Sequence, residues 1–118
     1  MSTRKENDFL NGIPEMLLLR LLGEEPMHGY QLVQSIKQAT GGALEFGEGS
    51  IYPVLYRLEA EGAIRSCEEV VKGRNRFVYR LTPGGAKRLE KSVANWERIA
   101  MAVAMVLKGG RDGSPALA

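Results

Sequence analysis

The sequence predicts an α+β fold that is mainly α: a winged helix-turn-helix carrying a long C-terminal dimerisation helix. Three observations predict it. Three apolar-periodic segments come first, each closed by glycine; two short strand-like segments joined by a tight basic turn follow; and a heptad of apolar residues runs through the last part of the chain. Three helices followed by a hairpin is the order of a winged helix, in which helices two and three form the helix-turn-helix and the hairpin tip is the wing.

The first helix is expected from Pro14, placed in a first turn that tolerates it, through "IPEMLLLRLLG" to the stop at Gly23. After the turn "EEP", Met27 to Ala39 sets Leu32, Val33 and Ile36 on one face and ends at Gly41 and Gly42. A loop containing Phe46 leads to Ser50, predicted to cap the third helix, with Pro53 in its first turn and Gly62 at its end. Ile51, Leu55 and Leu58 form its inward stripe, with Val54 beside them. That leaves Tyr52 and Tyr56, one turn apart, on a flank or outer face.

"AIRSCEEVV" and "RFVYRLT", joined by "KGRN", read as a hairpin. In its second strand Phe77, Tyr79 and Leu81 alternate with Arg76, Val78 and Arg80, the pattern of a sheet with one face on a core. Thr82 and Pro83, a cap and a first-turn proline, launch the fourth helix, which runs to about Lys108 even though Gly84 and Gly85 weaken its start. Leu89, Val93, Trp96, Ala100, Val103 and Leu107 then step by 4, 3, 4, 3 and 4 residues. Such a helix is on the order of 40 Å long at 1.5 Å per residue, more than a domain of about 70 residues covers, so it needs a partner. The organisation follows: a flexible arm at 1–12, a winged-helix DNA-binding domain at 13–82, the dimerisation helix at 83–108, and a disordered tail at 109–118.

Composition narrows the function. The 118 residues carry 16 Lys and Arg against 14 Asp and Glu, a formal charge of +2, so any basic patch is local. One cysteine, Cys67, precludes an intramolecular disulfide, and with His28 as the other soft ligand it makes a poor metal set; Cys67 reads as a strand residue. No cofactor is expected. There is no convergent acid and base pair and no glycine-rich phosphate loop after a strand, which argues against an enzyme. The opening residues lack the apolar core of a secretory signal, and the longest apolar run, Ile99 to Leu107, is about half of the roughly 20 residues a bilayer requires, so the chain reads as cytoplasmic.

The candidate site is a DNA-binding surface. The start of the third helix, with Ser50, Tyr52, Pro53, Tyr56 and Arg57, is placed to enter a major groove, where a phenol can reach a phosphate or a base edge. The wing gathers Lys72, Arg74, Asn75 and Arg76, within reach of phosphates or the minor groove. Tyr30, with His28 beside it, stands at the start of the second helix. Plainer readings stand against each: the tyrosines as half-buried aromatics closing the core, Arg57 as an i+4 partner of Glu61, His28 as a cap. Trp96 is most simply dimer core. Small Ala100 and adaptable Met101 and Met105 near it also suit an apolar effector pocket.

"HGYQLVQSI", "GSIYPVLYRLEAEGAI" and "GRNRFVYRLTPGGAKRL", in this order and spacing, resemble the PadR family of bacterial transcriptional regulators over roughly residues 13–108. The single C-terminal helix resembles the family's small subclass. The resemblance implies a homodimer paired through the fourth helix that represses transcription from a pseudo-palindromic operator, with small aromatic or drug-like effectors relieving repression. It also implies that Tyr52 and Pro53 belong to the helix-three signature, that Arg57 is its basic position, and that Gly73 and Arg74 form the wing tip. Trp96 matches a tryptophan near the dimer axis. Val78, where an aromatic is common, and the modest net charge depart from the family pattern. A winged helix used as a protein-protein interaction module, its wing and Tyr52 facing an acidic partner, is the competing reading.

Overall fold

The computed structural model describes residues 4–109, so residues 1–3 of the predicted arm and 110–118 of the predicted tail lie outside the described residues. Four helices and a small antiparallel sheet follow one another as α1 (Arg4–Glu24), β1 (Met27–His28), α2 (Gly29–Ala39), α3 (Glu48–Ala60), β2 (Ile64–Val71), β3 (Arg74–Leu81) and α4 (Pro83–Leu107). The fold is a mainly helical α+β winged helix, as the sequence predicts.

Four local expectations need correction. Helix α1 begins at Arg4, so Pro14 lies inside it and is buried, not in its first turn. An interior proline removes one backbone hydrogen bond and crowds the carbonyl four residues before it, a local cost that the burial of the following apolar turns offsets. Met27 and His28 are not helical; they pair with Tyr79 and Val78 and add an edge strand to the hairpin, giving the order β1-β3-β2. Two residues are too few to show alternation in a sequence. Ser50 does not cap α3: Gly47 is the cap, with no side-chain bond, and Pro53 sits inside the helix. The turn "KGRN" contracts to Lys72 and Gly73, both left-handed at φ 52° and 78°, as a two-residue hairpin turn demands, so Arg74 and Asn75 join the strand.

The core lies where α1, α2 and α3 converge on the sheet. Leu18 and Leu19 from α1, Leu32 and Ile36 from α2, and Ile51, Leu55 and Leu58 from α3 are almost fully buried, and Ile64 and Tyr79 close the sheet side. Burying each large aliphatic side chain contributes roughly 1.5–3 kcal/mol. The expected alternation in β3 holds only in part. Tyr79 is buried, but Phe77 is 58% exposed while Val78 is 7% exposed. Phe77 shares the face of Tyr79 but lies nearer the hairpin turn, beyond the buried core cluster, where it lines the groove beside α3.

Helix α4 starts as the sequence predicts, with the Thr82 hydroxyl accepting from the Gly85 N–H at 3.0 Å and Pro83 in the first turn. Gly85 has a packing reason beyond the weak helix propensity read from the sequence: a Cβ there would come within 2.0 Å of the Ala63 carbonyl oxygen. The helix then runs on past the domain, and the molecule as a whole extends over 59 × 33 × 28 Å. Leu89 packs against the domain core, whereas Trp96, Val103 and Leu107 are exposed by 40%, 50% and 69%. No helix among the described residues is long and apolar enough to cross a membrane.

Candidate nucleic-acid interface

The outer face of α3 and the hairpin enclose one groove of about 360 Å³, lined by Tyr52, Tyr56 and Glu59 from α3, Ser66, Asn75, Arg76, Phe77 and Tyr79 from the hairpin, and His28 and Gly29. Two predicted groups, helix three and the wing, therefore meet in one surface. The groove is fastened on one side by Glu59, whose carboxylate accepts from the Ser66 N–H at 3.2 Å and the Ser66 hydroxyl at 2.5 Å. Sequence reasoning missed Glu59, Ser66 and Phe77, because their proximity depends on how the hairpin folds back over α3.

The two helix-three tyrosines differ. Tyr56 is 60% exposed, while Tyr52 is half-buried, its ring centroid 6.0 Å from that of Tyr56 and tilted by 43°. The Tyr52 ring end lies over Gly29, where a Cβ would come within 2.4 Å of it. Burial, then Glu48 and Tyr56, raise the Tyr52 phenol above its ordinary value, and burial with the nearby Tyr56, Glu59 and Tyr52 pushes Tyr79 up to about 12. Both remain neutral hydrogen-bond donors at physiological pH. Ser50 and Pro53 are exposed at the start of α3, and Tyr30 is 46% exposed near the start of α2.

The cations separate into two groups. Arg57 pairs with Glu15 at 3.0 Å and with Glu61 at 3.3 Å, so the plainer reading of this residue is realised, with a second partner added. Glu15 was absent from the sequence reading because it lies 42 residues from Arg57, beyond any local pattern. Arg80 pairs with Glu69 at 2.7 Å. Lys72, Arg74 and Arg76, in contrast, form no ion pair among the described residues; the first two are exposed and Arg76 is half-buried at the groove. Asn75 between them is exposed. His28 caps α2, its Nδ1 accepting from the Gln31 N–H at 3.2 Å, so its proton belongs on Nε2. Partial burial, then Arg76 and Lys72, lower its pKa, so it is neutral near pH 7.

A second surface lies on α4. Trp96, Ile99, Ala100, Val103, Ala104 and Leu107 line a shallow apolar hollow of about 370 Å³. Beside it, Trp96, Ser92, Asn95 and Ile99 meet Gly12, Ile13 and Met16 of α1 around a hollow of about 190 Å³. Met101, included in the expected pocket, lines neither: five residues on from Trp96, it is turned about 140° around the helix. Val93 is half-buried, and Met105 and Val106 are exposed by 63% and 79% beyond the heptad seam.

Residues 18–91 match the family described as "Transcriptional regulator PadR-like family". Among curated proteins, the chain is 32% identical over 96 residues to the transcriptional regulator Rv3488 of Mycobacterium tuberculosis, covering 81% of this chain and 87% of that one. It is 41% identical over 85 residues to a 37.1 kDa protein of transposon TN4556 from Streptomyces fradiae, a match that takes in 72% of this chain but 23% of that longer protein. Among solved structures, a transcriptional regulator from Clostridium thermocellum superposes with a TM-score of 0.76 at 28% identity, over 82% of this chain and 95% of that one.

Proposed function

The chain belongs to the PadR-like family of transcriptional regulators, and we propose that it acts as a dimeric repressor, binding a pseudo-palindromic operator through α3 and the wing. Family membership makes DNA-binding regulation its function. The observation that carries the finer reading is the contrast among the cations: Lys72, Arg74 and Arg76 form no ion pair among the described residues and stand beside the exposed start of α3, whereas Arg57 and Arg80 are held by carboxylates. Unpaired cations on one face are what phosphates require.

In this reading the first turns of α3 enter the major groove. Ser50, Pro53 and Tyr56 face the bases, and Tyr52, held against Gly29, donates its phenolic proton to a phosphate or base edge. Lys72, Arg74, Asn75 and Arg76 follow the adjacent backbone, and Tyr30 and His28 reach a phosphate near the start of α2. Residues 13–82 serve as the DNA-binding domain and 83–108 as the pairing helix. Pairing through Trp96, Ala100, Val103 and Leu107 covers their exposed apolar face and sets two copies of α3 about 34–36 Å apart, one duplex turn. A small aromatic effector in the hollow beside Trp96 relieves repression to the extent that it prefers a different separation. The protein then works in the cytoplasm, where its operator is.

Selection of bound duplexes from a random pool at near-physiological salt tests this reading. The expected result is a two-fold-symmetric site, with Arg74→Ala weakening all sequences alike and lowering the salt slope by about two, one charge from each protomer. If no sequence is enriched, the operator reading falls and the wing becomes a candidate protein-binding surface.

A further inference from the structure

Helices α3 and α4 share almost no backbone contact; α1 lies between them and touches both. Their relative direction is therefore set through α1 and through the contacts that tie the three helices together. The start of α4 is pinned to the end of α3 by the Thr82 hydroxyl, which sits 2.6 Å from the Gly62 carbonyl and 2.9 Å from that of Ala63, and by the close approach that Gly85 permits. That fixes one point, the start of α4, and Leu89 with the α1 residues Ile13 and Met16 supports its apolar side, but apolar packing alone sets a helix direction loosely.

The second point is Arg88, one turn further along. Its Nε and Nη2 donate to Glu15 at 2.8 and 3.2 Å, and the same Nη2 lies 2.7 Å from Glu61. Arg57 of α3 reaches the same two carboxylates at 3.0 and 3.3 Å. Two guanidinium groups and two carboxylates thus close a ring across α1, α3 and α4. The Glu15 side chain is 14% exposed. Burial alone would raise its carboxyl pKa, but hydrogen bonds from Arg88 and Arg57 and the charges of both hold it below the ordinary value. A planar guanidinium on a carboxylate specifies direction as well as distance.

We infer that Glu15, Arg57, Glu61 and Arg88 form a strut that fixes the angle between α3 and α4, and through it the operator half-site spacing the dimer accepts. They are positioning residues, and Arg57 acts here instead of on DNA. The inference rests on the roles proposed above for α3 and α4. The lever is long: from Arg88 to Leu107 is roughly 28 Å at 1.5 Å per residue, so a tilt of about 5° at the ring moves the far end by about 2.5 Å. That approaches the roughly 3.4 Å rise of one base pair.

The test measures affinity for two-half-site duplexes whose central spacer changes one base pair at a time, and for a single half-site, using the full chain and the variants Glu15→Gln and Glu61→Gln. In Glu15→Gln the preference for the best spacing over its neighbours should fall by about threefold or more, with single half-site affinity unchanged. Glu61 is more exposed, so Glu61→Gln should fold even if the Glu15 variant does not, and it should weaken the same preference by a smaller factor. A wild-type spacing profile retained in the folded variants overturns the strut. No spacing optimum in the wild type means that the operator reading itself has failed, and the strut fails with it.

Discussion

Gly29 shows how one missing Cβ shapes the candidate interface. The Tyr52 ring occupies the space that a side chain at this position would need, and Tyr52 is the more constrained of the two helix-three tyrosines. In Gly29→Ala the ring must turn outward, because a Cβ would come within 2.4 Å of it. The core residues are untouched, so the expected outcome is a folded protein whose affinity for a single half-site falls by about tenfold, as losing one good base or phosphate contact does. Thermal unfolding and duplex titration, run together, separate this from a folding defect. Unchanged affinity would remove Tyr52 from the interface. At this scale the sequence identified Tyr52 but not what holds it, since Gly29 and Tyr52 are brought together by the packing of α2 on α3.

At the scale of elements, caps and turns decide where helices begin. The predicted Thr82 cap of α4 is realised, whereas the predicted Ser50 cap of α3 is displaced by Gly47. Helix α2 is capped by His28, so its first turn is sensitive to pH. The His28 pKa is lowered in the folded chain from 6.5, mainly by burial and then by Arg76 and Lys72, so folding favours the neutral ring. Its contribution to stability is therefore present above about pH 6.5 and is lost as the pH falls through the folded-state value, when Nδ1 takes a proton and ceases to accept. Replacement by a non-titrating cap, His28→Asn, should flatten the fall in unfolding free energy between about pH 7 and pH 5. Denaturant melts at both pH values check this, and an unaltered slope would mean that the pH dependence arises elsewhere.

At the scale of the whole molecule, the projecting half of α4 carries the apolar face on which the proposed pairing rests. Val103, 50% exposed, lies in the apolar hollow with Trp96 and Leu107 but away from the core of its own domain. A charge there leaves the winged helix intact and opposes pairing, because burying an unpaired carboxylate is unfavourable. Val103→Glu is expected to sediment as a monomer and to lose about a hundredfold or more in affinity for a two-half-site duplex, the loss of linked binding, while single half-site affinity is retained. A variant that remains dimeric would place the interface elsewhere.

The sequence by itself determined the order of the four helices and the hairpin, the inward stripe of α3, the Thr82 start of α4 and the apolar seam beyond it. Each of these is written in local periodicity or in a cap within a few residues. It also located the wing cations, since a charge at a tight turn is legible wherever the turn is. Tertiary structure alone decided which groups are spoken for. Arg57 reads locally as a partner of Glu61 or as a DNA contact, and only the packing of α1 against both α3 and α4 brings in Glu15 and Arg88, 42 and 31 positions away, from 57 − 15 and 88 − 57. Strand β1, the exposure of Phe77 and the seat of Tyr52 on Gly29 were decided in the same way. The physical reason is common to all of them: contacts between distant residues follow from how elements pack, and a pattern of nearest neighbours carries no record of it.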